Sequence, residues 1–140
     1  ADELFQQHIE AQCKRLRILG FTGTPIIRGN LNAMDKSLLP SLQTVCTEIL
    51  NNIAKHGKPG AFAFILSVGP DAVRIFASNL YNAAINSAPE NHYGTALIQD
   101  FAQQHNGTMT INSENEEWSL SLTIPLAHQV KLMFSPTEKL

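Results

Sequence analysis

The sequence shows little of what marks a nucleic-acid-binding, secreted or membrane-spanning protein. Its 140 residues carry 10 Lys and Arg against 12 Asp and Glu, a formal net charge of −2, whereas a nucleic-acid-binding surface is normally basic. No apolar run approaches the length of a membrane span, and the N-terminus lacks the charged-then-apolar pattern of a secretory signal. We therefore expect a soluble domain with no nucleic-acid partner and no direct membrane contact.

Cysteine and metal-ligand patterns are also sparse. The two cysteines, Cys13 and Cys46, fall in predicted helices without the spacing of a metal site, and the five histidines form no local metal motif. Reduced thiols in a cytosolic protein are the interpretation we favour, and a disulfide between them stays open. Because the chain begins with Ala1 rather than Met, we expect it to be a fragment of a longer protein.

The sequence does have the composition of one globular domain. Hydrophobic residues make up 44% of the chain and charged residues 16%, and 140 residues can bury a genuine core. There are no internal repeats or low-complexity segments. We expect residues 1–140 to form a single domain.

Hydrophobic periodicity predicts three helices, over 1–19, 38–56 and 94–105. Gly20 is the expected stop of the first helix, Ser37 the expected cap of the second, and Asn106-Gly107 the expected cap that closes the third. The apolar residues expected on their buried faces are Leu4, Ile9, Cys13, Leu16 and Leu19; Leu42, Val45, Ile49 and Ile53; and Leu97, Ile98, Phe101 and Ala102.

Alternation of apolar residues predicts two β-hairpins. The first joins 61–68 to a strand around 73–77 through the turn Gly69-Pro70-Asp71, and the second turns within 112–116 and ends at Pro125. A shorter strand over 22–28 contains Pro25, which favours the edge of a sheet. We expect a surface loop over 80–93 and a short strand around 130–134.

The order of these elements predicts an α+β fold. A helix and a hairpin are followed by a loop, a second helix and a second hairpin. This order is typical of a two-layer sandwich in which helices cover one face of a sheet. We expect a mixed, mostly antiparallel sheet covered on one face by about three helices.

The helix over 38–56 carries a column of polar residues beside its apolar stripe. At about 100° per residue, Glu48, Asn52 and Lys55 fall within about 60° of one another. A carboxylate can accept a proton, an amide oxygen can ligate Mg²⁺, and a lysine can meet phosphate. This set suits nucleotide chemistry, and the alternative is an ordinary solvated helix face.

The segment Glu48-Ile-Leu-Asn-Asn-Ile-Ala-Lys-His56 resembles the Asn-containing helix of the ATP-binding domain of sensor histidine kinases, members of the Bergerat-fold ATPase superfamily that includes gyrase. Its spacing is most similar to the nitrate/nitrite-sensor-like branch. Gly94, followed by a helix that ends in His105-Asn-Gly-Thr108, resembles the second glycine box of the family. The resemblance is strongest over 15–125 and implies a Bergerat-like fold.

The resemblance also implies roles for individual residues. Glu48 would polarise the attacking group or water, and Asn52 would hold Mg²⁺ on the triphosphate of ATP. Lys55 would contact phosphate with His56 beside it, although both could instead complement the dipole at the helix C-terminus. Gly94, with Thr95 next to it, would let the backbone approach phosphate at a helix N-terminus, and its alternative is an ordinary loop-to-helix glycine.

The sequence departs from the family pattern at the adenine pocket. Where the family has Asp-x-Gly-x-Gly, this chain has Asn79-Leu80-Tyr81-Asn82-Ala83, and the second glycine box keeps only Gly94. The Asp normally accepts a hydrogen bond from the adenine amino group. Asn79 can still accept through its amide oxygen, but a neutral bond is weaker than a charge-assisted one.

Two functional hypotheses follow from the resemblance. In the first, the chain binds ATP and Mg²⁺ and donates the γ-phosphoryl group to a histidine-bearing dimerisation domain. A response regulator then receives the phosphoryl group from that domain. In the second, it is a degenerate kinase-like module that has lost nucleotide binding and acts as a protein-interaction domain. Either implies a cytoplasmic location, as a cytoplasmic protein or as the soluble part of a membrane-anchored sensor.

Overall fold

The computed structural model describes residues 2–81 and 95–126, in which three α-helices and a short 3-10 turn accompany five β-strands. The elements in chain order are α1 (Asp2–Ile18), β1 (Pro25–Gly29), the 3-10 turn (Leu31–Ala33), α2 (Leu38–His56), β2 (Gly57–Val68), β3 (Ala72–Tyr81), α3 (Thr95–Gln104), β4 (Thr108–Glu114) and β5 (Glu117–Pro125).

The five strands form one mixed sheet in the order β1-β2-β3-β5-β4. Only β1 and β2 run parallel, and the remaining neighbours are antiparallel. Strand β1, which contains Pro25, lies at one edge of the sheet. An edge strand tolerates proline, which has no backbone N–H to donate to a neighbouring strand. The predicted α+β fold and both predicted hairpins are therefore confirmed.

The core lies between the helices and one face of the sheet. Alternate residues of β2 and β5, such as Phe64 and Trp118, are buried there, as the period-two pattern predicts. Helix α2 buries Leu42, Val45, Ile49 and Ile53 against them, and all four were expected on its apolar face. None of the helices in the described part of the chain has the length and apolar character needed to cross a membrane.

The buried faces of α1 and α3 differ in part from the prediction. Leu4 and Leu19 were expected to be buried, but they are 69% and 51% exposed. The buried stripe instead runs through Phe5, Ile9, Cys13 and Leu16. On α3, Ile98, Phe101 and Ala102 are buried as expected, whereas Leu97 is 43% exposed. An apolar side chain one position off the stripe is rotated by about 100° away from the core.

The helix ends follow the predicted residues, with one difference in mechanism. Ser37 occupies the cap position of α2, but its side chain makes no capping bond. Asp35 Oδ1 instead accepts a hydrogen bond from the Ser37 N–H at 3.1 Å. Helix α2 ends at His56, and β2 begins at Gly57. After α3, Asn106 adopts a left-handed φ of 59°, as its predicted capping role requires.

The predicted loop over 80–93 is wrong at its beginning, because β3 continues to Tyr81. This strand is longer than the alternation of Val73, Ile75 and Ala77 indicated, since it keeps pairing with β5 as far as Leu80 and Glu117. The rest of that loop, and the predicted strand around 130–134, lie outside the described residues.

Candidate functional site

The polar column on α2 runs from the interior of the domain to its surface. Asn52 is only 1% exposed, Glu48 and His56 are half-buried, and Lys55 is exposed. The reading of this column as a solvated face is therefore wrong for Asn52. Burying an amide costs free energy unless the amide is hydrogen-bonded, and Asn52 has an interaction partner in this interior position.

Asn79 is the second buried amide, and it lies in the middle of the sheet. Its neighbours across the ladder are Phe62 on β2 and Trp118 on β5. The side chain is 2% exposed, and its Nδ2 donates a hydrogen bond to the carbonyl oxygen of Leu80 at 2.7 Å. This bond fixes the orientation of the amide, because the reversed orientation would bring two oxygens together.

The amide oxygen of Asn79 is an acceptor that nothing satisfies within the described residues. Asn79 Oδ1 is buried and has no hydrogen-bond partner there. A buried acceptor left unpaired costs about 1–3 kcal/mol. A ligand that donates an N–H to Asn79 Oδ1 would remove this cost.

Gly57 brings Asn79 and α2 together. A Cβ atom built on Gly57 would lie 2.5 Å from Asn79 Nδ2 and 2.5 Å from the carbonyl oxygen of Ile53. The amide of Asn79 therefore lies directly against the C-terminal end of the helix that carries Glu48 and Asn52. Site prediction from the sequence missed Gly57, and the only signal for it was a glycine placed immediately after the helix.

The later part of the predicted site is described incompletely. Thr95 is half-buried at the beginning of α3, a helix that packs against α2, β4 and β5. Gly94 lies outside the described residues. Tyr81 is buried on the same face of β3 as Asn79, and its N–H donates a hydrogen bond to the Glu116 carbonyl oxygen at 2.9 Å.

Two grooves open near the N-terminal half of α2, away from these residues. One, of about 520 Å³, lies between Thr44 of α2 and Phe101 of α3. The other, of about 710 Å³, lies between Leu31 and Thr44. Glu48, Asn52 and Asn79 line neither groove, and Glu48 follows Thr44 by one helical turn.

Glu48, Asn52 and Asn79 carry the types of polar atom that a magnesium–nucleotide ligand would need. Among the described residues no group of three or more His, Cys, Asp or Glu side chains could hold a metal by itself. Mg²⁺ in nucleotide sites is typically bound by one or two protein oxygens together with the phosphates, and Glu48 and Asn52 offer such oxygens. An adenine amino group is a donor of the kind that Asn79 Oδ1 lacks.

Comparison by sequence finds no relatives: no protein-family model and no curated protein sequence matches this chain. Comparison by structure finds histidine kinases. The nucleotide-free catalytic domain of histidine kinase ThkA superposes with a TM-score of 0.66 at 11% identity, over 89% of this chain and 93% of that one. Histidine kinase AdeS of Acinetobacter baumannii gives a TM-score of 0.67 at 11% identity, over 89% of this chain and 64% of AdeS.

A blue-light activated histidine kinase of Erythrobacter litoralis is also similar, with a TM-score of 0.65 at 12% identity over 91% of this chain and 43% of that one. The chain thus spans 64% of the length of AdeS. It spans 43% of the length of the Erythrobacter litoralis kinase. The fold is the Bergerat-like fold of histidine kinase catalytic domains, which confirms the expected architecture. Assignment to the nitrate/nitrite-sensor-like branch stays a prediction.

Proposed function

We propose that this chain is the ATP-binding catalytic domain of a two-component sensor histidine kinase, and that it transfers the γ-phosphoryl of ATP to a histidine on a separate dimerisation domain. The observation that carries the proposal is the unsatisfied, buried Asn79 Oδ1 at the end of α2. The fold around it is similar to that of solved histidine kinase catalytic domains, and the sequence resemblance aligns Asn79 with the adenine-binding Asp of that family. A response regulator would receive the phosphoryl group next.

Each residue has a definite task in this proposal. Asn79 Oδ1 accepts from the adenine amino group, and Asn52 holds Mg²⁺ with the phosphates. Bound Mg²⁺ supplies neutralisation of phosphate charge. Lys55, exposed at the end of α2, adds a second positive charge, and Glu48 orients the attacking group. Such a site needs mostly positioning and charge neutralisation, because the protein does little covalent chemistry in phosphoryl transfer.

The second candidate function is that of a degenerate module that binds protein and no nucleotide. The observation that favours it is the buried ring of Tyr81 beside Asn79, in a place where the family has a glycine. A side chain at this position occupies space next to the base and restricts the backbone. In this alternative the domain has the same fold but binds neither ATP nor Mg²⁺.

Calorimetric titration with ATP and Mg²⁺ tests the first proposal. We expect saturable binding that is lost in Asn52→Ala and retained in Asn51→Ala. Asn51 is a matched control because its Oδ1 accepts from Arg15 Nη2 at 3.3 Å, on the α1 side of the helix. The absence of binding at millimolar nucleotide, in a sample with native circular dichroism, would overturn the proposal.

Thermal melting separates the two candidates. A ligand present at 100 times its Kd stabilises the native state by about 2.7 kcal/mol, so ATP with Mg²⁺ should raise the melting temperature if the site is functional. Asn79→Leu should abolish this increase while changing the stability of the free protein by about 1 kcal/mol or less, because it removes an unsatisfied acceptor together with a donor. No increase in the wild type favours the degenerate module.

A further inference from the structure

The face of the sheet opposite the helices is open in the described part of the chain. We call it the open face, and its central strand β3 presents Arg74, Phe76 and Leu80 there, all exposed. The three helices pack on the other face, where the buried residues of β2, β3 and β5 point. The centre of this face is made of small side chains such as Ser119, Ser121 and Ser78, of which Ser78 is only 9% exposed.

An apolar row runs from the β1 edge of this face to its central strand, β3. Phe76 lies opposite Ile65 of β2, and Ile65 lies opposite Ile26 of the edge strand β1. Phe76 is 39% exposed, and Ile26 is also exposed. Aromatic residues such as Phe76 are enriched at the centres of protein interfaces.

Opposite charges flank the row at the two ends of the strands. Arg74 lies two residues before Phe76 on β3, in register with Ser67 and Thr123. At the other end, Glu117 pairs with Leu80 on one side and with Glu114 on the other. The ion pair between Arg17 and Glu10 does not involve these charges, and Arg74 and Glu117 have no ionic partner within residues 2–81 and 95–126.

Phe76 separates two depressions of opposite electrostatic character. One, of about 240 Å³, is bounded by Arg74, Ser67 and Thr123. The other, of about 340 Å³, is bounded by Glu114, Glu117 and Asn112. The face is therefore a ridge between a basic and an acidic hollow, and such a surface is complementary to its own rotated copy.

We propose that the open face is the interface of a symmetric dimer of this chain. A two-fold axis parallel to the sheet and perpendicular to β3, passing between Phe76 and Ser78, exchanges the two ends of the strand. Arg74 lies three residues before this axis and the Leu80–Glu117 pair three residues after it. The rotation therefore places Arg74 of each copy over Leu80 of the other, one strand away from Glu117 in the acidic hollow, and brings the two Phe76 rings together. An isologous contact repeats each pairing twice.

The area available determines how tight this dimer is. Five strands about 4.8 Å apart and about 20 Å of strand length give about 500 Å² per copy, or about 1,000 Å² in total. That is the lower limit for a specific interface. The dimer should therefore be transient, with a Kd in the micromolar range or weaker, and its formation should depend on protein concentration and salt.

Sedimentation equilibrium on the wild type and charge-reversal variants tests the proposal. We expect a concentration-dependent species of twice the 15.4 kDa chain mass. Arg74→Glu and Glu117→Arg should each weaken association by about tenfold or more, and the double variant should recover most of it, because opposite charges then face each other again. Phe76→Ser should also weaken association.

Lys14→Glu is the matched control, since it reverses an exposed charge on α1, in the other layer of the domain. It should leave the dimer unchanged. Circular dichroism and thermal melting show that each variant is folded. A wild type that stays monomeric at about 1 mM, beyond the range of a weak specific dimer, overturns the proposal. A dimer that survives both single reversals, or a double variant no better than the singles, overturns it as well. ATP binding plays no part in these measurements, so they stand apart from the proposed kinase function.

Discussion

Gly57 shows at the scale of one residue how the candidate site depends on close packing. Its φ of −79° is accessible to any residue, so backbone strain is not the reason for a glycine here. The reason is space, because an added methyl group would lie 2.5 Å from both Asn79 Nδ2 and the Ile53 carbonyl oxygen. The contact with the Ile53 carbonyl cannot be relieved without moving the backbone of α2, and the contact with Nδ2 would force the Asn79 amide to turn away.

We therefore predict that Gly57→Ala lowers the free energy of unfolding by about 1–3 kcal/mol, the cost typical of overpacking, and weakens ATP binding by displacing Asn79. Urea denaturation and calorimetry measure the two effects. Gly69→Ala is the control, since a methyl group there would meet only the Ala72 carbonyl at an ordinary 3.6 Å. Equal destabilisation by both substitutions would contradict the packing argument.

The two cysteines are a second case in which surroundings decide the chemistry of a residue. Both thiols are free and fully buried between α1 and α2. Burial raises the pKa of the Cys13 thiol from 9.0 to about 11, with a smaller contribution from Glu10, and burial raises the pKa of Cys46 as well. The two thiols are inert at neutral pH because the thiolate is the reactive form.

These pKa values predict a loss of stability in alkaline solution. A thiol that holds its proton more tightly in the native state stabilises the fold fully below pH 9, and this contribution disappears as the pH rises towards the native value. Each thiol should cost about 1.4 kcal/mol per pH unit in this range. Urea unfolding at pH 8 and pH 10 measures the slope, which should be smaller in Cys13→Ala. An identical slope in that variant would show that Cys13 does not titrate as described.

At the scale of the element, the β4–β5 hairpin combines a clear sequence pattern with an unfavourable turn. Trp118, Leu120, Leu122 and Ile124 alternate with polar residues and are buried, as predicted. The two-residue turn requires positive φ at both positions, 53° at Asn115 and 62° at Glu116. Asn tolerates this conformation well, whereas Glu does not.

We predict that Glu116→Gly stabilises the domain by about 1 kcal/mol, because glycine adopts the left-handed conformation without steric cost. A thermal melt should show a higher midpoint. Glu114→Gly, in the strand next to the turn, should lower the midpoint instead, since glycine weakens a strand. If both substitutions lowered it, the Glu116 side chain would have a stabilising role that outweighs its backbone strain.

An element could be predicted from the sequence when its apolar residues were confined to one face. Helix α2 and both hairpins follow from residue spacing because each buries one face against the rest of the molecule. The buried face of α1 was predicted incorrectly at Leu4 and Leu19, since apolar residues occur on two faces of that helix. Spacing alone could not show which of the two faces meets α2.

At the scale of the whole molecule, α1 is part of the core that supports the site. Ile9 is fully buried in it, and His8 Nε2 lies 2.7 Å from Thr47 Oγ1 across the contact with α2. Helix α2 carries the candidate site on its other half. Loosening α1 should therefore destabilise the entire domain rather than fray one end.

We expect Ile9→Ala to lower the free energy of unfolding by about 2–5 kcal/mol through the cavity it leaves. Leu4→Ala, on the exposed face of the same helix, should change it by about 0.5 kcal/mol or less. Urea denaturation followed by both tryptophan fluorescence and circular dichroism measures these values. Non-coincident transitions in the two signals would indicate that α1 unfolds separately from the sheet.

The sequence by itself determined the types and order of the elements, because hydrophobic period and turn residues act over short stretches of chain. It also indicated Glu48, Asn52 and Lys55 as candidate site residues, because the geometry of one helix is enough to place them on the same face. Only the tertiary structure decided that Asn52 is buried, that Asn79 meets the end of α2 at Gly57, and that its oxygen has no partner within the described residues. These facts depend on contacts between residues distant in sequence, which are set by how the helices pack on the sheet.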